Sequence, residues 1–84
     1  MGRWYGMTFL TRIDATRNMA RYYVVNVVPT LFGEWAVMRE WGRLGRSGTL
    51  RTWTFPGQDE AEKTQARSIS RKLRRGYVLK SHAA

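Results

Sequence analysis

Residues 39–46 read Arg39-Glu40-Trp41-Gly42-Arg43-Leu44-Gly45-Arg46, an indole and three guanidiniums set around two glycines. A guanidinium grips phosphate through a planar fork of N–H donors. An indole face gives a base or sugar something to stack on. Glycine lets the backbone turn sharply and come close to a ligand. Together these residue types suit non-covalent contact with nucleic acid.

Residues for covalent chemistry are not grouped in the same way. The single His82 stands near the end of the sequence, where little is expected to hold it. The six carboxylates do not cluster, and Asp59, Glu60 and Glu62 are explained by helix capping and the helix dipole. There is no nucleophile–base pairing, no metal-ligand spacing and no phosphate-loop glycine pattern followed by Lys. Gly42-Arg43-Leu44-Gly45 misses the dinucleotide fingerprint, because strand signals follow where a helix should. The expectation is a protein that is not an enzyme and uses no cofactor, metal or small-molecule substrate.

The net charge of +9 over 84 residues is strongly uneven. Residues 1–33 carry +3, residues 34–62 carry −1, and residues 63–84 carry +7 with no acid. Such a field attracts polyanions: nucleic acid first, then an acidic protein or an anionic membrane surface. Twelve of the fifteen basic residues are Arg, which favours phosphate recognition. Cysteine is absent, so disulfides and thiolate sites are excluded, in keeping with a reducing compartment. No apolar run approaches the ~20 residues of a membrane span, and Met1 to Gly6 lacks the apolar stretch expected of a signal peptide. A cytoplasmic location, free or associated with the nucleoid, is expected.

The elements that must position these groups fit one domain over residues 7–80, with 1–6 and 81–84 as flexible ends, although Trp4 and Tyr5 can dock on the body. Met7 to Ile13 alternates as a half-buried strand, with Met7, Phe9 and Ile13 on one side and Thr8 and Arg12 on the other. Asp14 to Met19 reads as a turn. Ala20 to Val28 is a more buried strand that Pro29 ends. Leu31-Phe32-Gly33 turns the chain, with Phe32 placed to cover the sheet end. Glu34 to Trp41 is the third strand, Gly42 to Gly48 a hairpin loop and Thr49 to Phe55 the fourth strand. These connections are too short for crossovers, so pairing is antiparallel. Tyr23, Trp35, Trp53 and Phe55 are core candidates, whereas Trp41 is either a site residue or a core indole closing the sheet end.

Pro56-Gly57 then breaks the strand, and Asp59 with Glu62 forms a capping box for a helix to about Arg75, with Gly76 as a left-handed cap. Ala66, Ile69 and Leu73 fall on one face, which should pack on the sheet. Lys63, Arg67, Arg71 and Arg74 form a basic stripe opposite. That stripe is either an ordinary solvated face or a polyanion contact that offsets like-charge repulsion at i, i+4. Tyr77-Val78-Leu79 returns as a short edge strand. The fold class is α+β: an antiparallel sheet of four or five strands with one α-helix packed on one face.

Trp41-Gly42-Arg43, preceded by Asn18 and Arg21-Tyr22-Tyr23 and followed by Leu44-Gly45-Arg46-Ser47-Gly48, resembles a WGR domain. The resemblance continues through Phe55-Pro56, Glu60-Ala61, Lys72 and Gly76-Tyr77, and covers about residues 7–80. It implies the same sheet-and-helix fold, and a kinship with stand-alone bacterial WGR proteins. In poly(ADP-ribose) polymerases the domain joins in recognising DNA breaks. Its Trp packs against the sugar of a terminal nucleotide and its Arg helps hold the DNA-bound assembly, roles that the resemblance places on Trp41 and Arg43.

The function expected is non-catalytic binding of nucleic acid, DNA more than RNA, at ends or nicks and with weak sequence preference. Trp41 would pack on a sugar or base, supported by the turn at Gly42, while Arg43 and Arg46 grip phosphate. Arg39, Arg51, Lys63, Arg67, Arg71 and Arg74 would add longer-range attraction. The alternative is a protein-interaction module that docks on an acidic or multi-domain partner. A membrane surface is disfavoured because the exposed helix face lacks large apolar residues.

Overall fold

Alternating side chains and short, turn-forming connections produce a chain that folds back on itself three times before its helix. The structure, a computed structural model, describes residues 6–83, so Trp4, Tyr5 and the other end positions 1–5 and 84 lie outside it. Strands β1 (Gly6–Asp14), β2 (Met19–Pro29), β3 (Trp35–Arg43) and β4 (Thr49–Phe55) precede helix α1 (Gln58–Arg74) and strand β5 (Val78–Ala83). They form one sheet in the order β4-β3-β2-β1-β5 with every pair antiparallel. The class is α+β, with five strands and one helix.

The turns follow from their polar residues. Asp14 Oδ1 accepts from the Thr16 amide at 3.1 Å and hydroxyl at 2.6 Å, which opens a 3-10 turn at Ala15–Arg17. Those bonds hold the Asp14 carboxyl below its ordinary value. Asn18 closes the turn in the left-handed region, φ 51°. Between β2 and β3, Thr30 Oγ1 accepts from the Phe32 and Glu34 amides, each at 3.2 Å. Phe32 does not cover the sheet end as expected: it is 88% exposed and Leu31 is 99% exposed at the tip.

The core lies between α1 and one sheet face, where Leu10, Tyr23, Val25, Val27, Val37, Ala61, Ile69 and Tyr77 pack together. Trp35, Trp41 and Phe55 lean on it, partly buried. Trp53 was expected inside, but it is exposed on the edge strand β4. The buried side of β1 carries Thr8 and Leu10, opposite to the Met7, Phe9, Ile13 side that apolar content suggested. That second side faces away from the helix.

α1 packs on β2, β3 and β4. Its buried residues are Ala61, Glu62, Gln65, Ser68 and Ile69. The packed face is thus turned away from the expected Ala66–Ile69–Leu73 line, and Leu73 is 45% exposed. Polar residues can lie inward because they find partners: Gln65 Nε2 donates to the Gly6 carbonyl at 3.1 Å, and Gln58 Nε2 to Glu62 Oε2 at 3.0 Å. The capping box is not formed. Gly57 is the N-cap without a side-chain bond, and Asp59 sits inside the first turn.

At the other end of α1 the expectation holds. Gly76 takes φ +93°, its amide reaching the Leu73 carbonyl while Tyr77 N–H reaches that of Lys72. β5 then runs to Ala83, past the expected stop at Leu79, because β1 supplies a full partner from Met7 to Thr11. A bulge between Phe9 and Leu10 accommodates Lys80. His82, expected to be unheld, sits in β5 with its Nδ1 2.7 Å from the buried Thr8 Oγ1.

Candidate nucleic-acid interface

Trp41 sits two residues before the end of β3, opposite Tyr23 on β2 and Thr49 on β4. Its indole points to the helix side and is half-buried against the core. The next residue faces the other way. A Cβ on Gly42 would press on the Gly48 Cα at 2.9 Å and the Tyr22 ring at 3.5 Å. A Cβ on Gly48 would run into the Trp41 carbonyl and the Tyr22 hydroxyl. Tyr22, buried on the helix-free face, donates to Glu40 Oε2 at 2.6 Å. That carboxylate holds the Tyr22 hydroxyl above its ordinary pKa. The two glycines therefore let the loop close over Tyr22, which fixes the backbone at Trp41.

Arg43 returns to the helix side and is anchored there. Its Nη1 donates to the Asn18 carbonyl at 3.0 Å and its Nη2 to Asn18 Oδ1 at 3.3 Å. Two N–H groups of its fork are used in joining β3 to the Ala15–Arg17 turn, and others stay available. Register then assembles what the linear sequence separates. Arg12 pairs with Arg21, and Arg21 with Arg43, so three guanidiniums stand in one row across three strands. Like charges directly opposite repel, so the row suits a bound anion.

Beside this row an open concavity of about 400 Å³ is bordered by Arg17, Arg21, Trp41, Arg43, Lys72 and Tyr77, with no carboxylate in its lining. Lys72 reaches it from the last turn of α1, its ammonium 4.9 Å from the Tyr23 ring centre and 5.2 Å from that of Tyr77. Burial, and then Arg75, Arg21, Arg39 and Arg71, hold the Lys72 ammonium below the ordinary lysine range. The corner thus concentrates positive charge against an aromatic wall, offset in part at Arg17, whose Nε lies 3.7 Å from Asp14 Oδ2.

Of the residues expected at the site, Trp41, Gly42 and Arg43 share this concavity. Arg39 is instead turned inward: Nη1 donates to Ser68 Oγ at 3.1 Å, and its guanidinium lies 3.9 Å over the Trp53 ring. Arg46 is exposed on the loop after β3, where its amide bonds to the Arg43 carbonyl. Arg51 lies on edge strand β4, across from Arg39. Lys63, Arg67, Arg71 and Arg74 are exposed on α1. Lys63 stands about 13 Å along the helix axis from Lys72 at the standard rise. Arg12, Arg17 and Arg75 were missed as candidate site residues, and Arg21 and Lys72 entered only through the family resemblance. Their signal is the strand register, which brings Arg12 and Arg21 to Arg43.

Among the described residues no group of His, Cys, Asp or Glu is placed to hold a metal ion. Nor is any helix of these residues long and apolar enough to cross a membrane. Compared with known proteins, residues 7–84 match the family described as WGR domain. The chain is 36% identical over 69 residues to the uncharacterized protein y4dW of Sinorhizobium fredii. That match takes in 82% of this chain and 34% of the relative, so the chain spans about a third of the relative's length. No solved structure matches.

Proposed function

Since the chain belongs to the WGR domain family, we propose that it is a non-catalytic module that binds DNA at ends or nicks through the Trp41 corner. WGR domains serve as nucleic-acid-binding modules in proteins related to the poly(ADP-ribose) polymerases. The observation that carries the reading is the pair Arg21–Arg43, extended by Arg12 in the same row, with Arg21, Arg43 and the half-buried Trp41 lining a concavity without a carboxylate. Trp41 stacks on a sugar or base exposed at a break. Arg43, held by Asn18, offers its remaining N–H groups to phosphate, and Arg21, Arg17 and Lys72 neutralise the neighbouring phosphates. Arg46, Arg51, Lys63, Arg67, Arg71 and Arg74 add long-range attraction, and Arg39 acts by supporting the site from within. Phosphate contacts carry little sequence information, so sequence preference is weak.

The test is titration of labelled blunt duplex, nicked duplex and single strand at 50 and 200 mM salt. With about six phosphates neutralised, affinity falls on the order of a thousandfold between those concentrations. Trp41→Ala erases the preference for ends, while Arg71→Glu weakens all forms alike. Absence of binding at low salt, or equal effects of the two variants, refutes the reading.

One observation favours a second reading, a protein-docking module. On the helix-free face Met7, Val24, Met38 and Leu50 line a shallow apolar groove of about 180 Å³. Recovery of one stoichiometric protein partner after nuclease treatment, lost in Met38→Glu, would support it.

A further inference from the structure

A second, smaller cavity adjoins Trp41 on the side of Arg39. It measures about 210 Å³ and is lined by Tyr23, Arg39, Ser68, Arg71, Lys72 and Arg75, sharing the Trp41 wall. Two donors among these residues have no hydrogen-bond partner: the Tyr23 hydroxyl and Arg39 Nε, both closed off from solvent. Tyr23 is 2% exposed. Buried donors are ordinarily satisfied, so two unmet ones on residues that line one cavity call for an acceptor, which must reach them past the groups that close them off from solvent. Arg39 cannot swing away to find one, because Ser68 holds Nη1 and Trp53 lies beneath its plane.

The lining supplies four cations and no carboxylate. The lowered ammonium of Lys72, displaced first by burial and then by Arg75, Arg21, Arg39 and Arg71, reports the same uncompensated charge. An acceptor here must therefore be anionic, polyvalent and able to receive bonds from several directions. A carboxylate brings two acceptor oxygens and a single charge, whereas a tetrahedral phosphate brings three oxygens and up to about two charges to set against the four cations. Size narrows the choice, because clefts for whole drug-sized ligands begin at roughly 300 Å³.

We propose that this cavity is an oxyanion pocket for a phosphate or diphosphate group, which accepts from the Tyr23 hydroxyl and Arg39 Nε and is neutralised by Arg71, Lys72 and Arg75. The long side chains of Arg71 and Arg75 part to admit it. The pocket adjoins the Arg43 concavity, sharing Trp41 and Lys72 with it, but its two unmet donors belong to this pocket alone and do not depend on the nucleic-acid reading. The group arrives either as a free anion or on a bound strand.

The full chain is titrated with sodium diphosphate at fixed ionic strength and followed by amide NMR shifts, beside Tyr23→Phe, Arg39→Lys and Lys80→Ala. Saturable binding is expected, weakened about tenfold by Tyr23→Phe through the loss of one bond to a charged group. Arg39→Lys keeps the charge but loses Nε, and weakens binding similarly. Lys80, in the β5 bulge outside both cavities, leaves affinity unchanged when truncated. Absence of saturable binding overturns the pocket, as does binding that Tyr23→Phe and Arg39→Lys leave intact in folded protein.

Labelled blunt duplex is then added at saturating diphosphate. Displacement assigns the pocket to a strand's phosphate and simultaneous binding assigns it to a free anion; both uphold it. A chain that binds diphosphate but no duplex keeps the pocket and loses the DNA reading. One that binds duplex but no diphosphate loses the pocket.

Discussion

Gly42 and Gly48 act by what they lack. Tyr22 fills the space that their side chains would occupy, and its hydroxyl is tied to Glu40. Gly48→Ala drives a methyl group into the Trp41 carbonyl and the Tyr22 hydroxyl. The expected cost is about 1–3 kcal/mol, the usual range for overpacking. At roughly 4–8 °C per kcal/mol for a domain of this size, the loss is readable in thermal denaturation. A Gly48→Ala chain with an unchanged melting point would show that the loop yields freely and that Trp41 is not fixed from behind. Arg43 also joins structure and function at this scale, because the bonds to Asn18 that hold it leave only part of its fork for a ligand.

Among the elements, α1 makes the sharpest test of packing. Ile69 is 2% exposed in the core while Leu73, four residues on, is 45% exposed. Ile69→Ala is expected to lose about 2–5 kcal/mol in urea denaturation. Leu73→Ala should lose less than about 1 kcal/mol. Equal losses would restore the apolar line expected from the sequence. That line misled because Glu62, Gln65 and Ser68 look like surface residues, and their burial rests on bonds the sequence does not show: Gln58 to Glu62, Gln65 to Gly6 and Arg39 to Ser68. The first four strands, by contrast, were legible within one or two residues, since alternation and Pro29 mark them locally. β5 was read too short because Lys80-Ser81-His82 has no strand character of its own and is ordered by β1, more than seventy residues away. The candidate site was legible at Trp41-Gly42-Arg43, which the fold brings to one concavity. Its partners Arg12, Arg17 and Arg21 were not, since they meet Arg43 only once three strands are in register.

For the molecule as a whole, a net charge of +9 is carried with few acids near the Trp41 corner, and Lys72 bears the consequence. Its pKa in the folded chain is below the ordinary 10.5, so the charged form is disfavoured by folding. Between the lowered value and 10.5 the unfolded chain holds a proton that the folded chain has released, and stability rises with pH across that window. Below the window the full penalty applies. Lys72→Met removes this contribution: urea midpoints measured along a pH series should rise less steeply there than in the parent chain. Parallel curves would mean that Lys72 is not strained by its neighbours. Tyr22 titrates in the opposite sense above its ordinary value of 10.0, because its proton is retained by folding, so the comparison of the two chains isolates Lys72.

The sheet order has one more outcome. Met7 pairs with Ala83, so the described chain enters and leaves through adjacent strands at one end of the sheet. A pair of neighbouring strands is separated by only about 5 Å. A host protein could therefore carry the fold as an insert in a single surface loop, with both splice points side by side and its own chain path hardly widened. Arg12, Arg21 and Arg43, on β1, β2 and β3, lie at the opposite end of the sheet. Anchored in that way, the domain would project its arginine row outward, away from whatever body bears it.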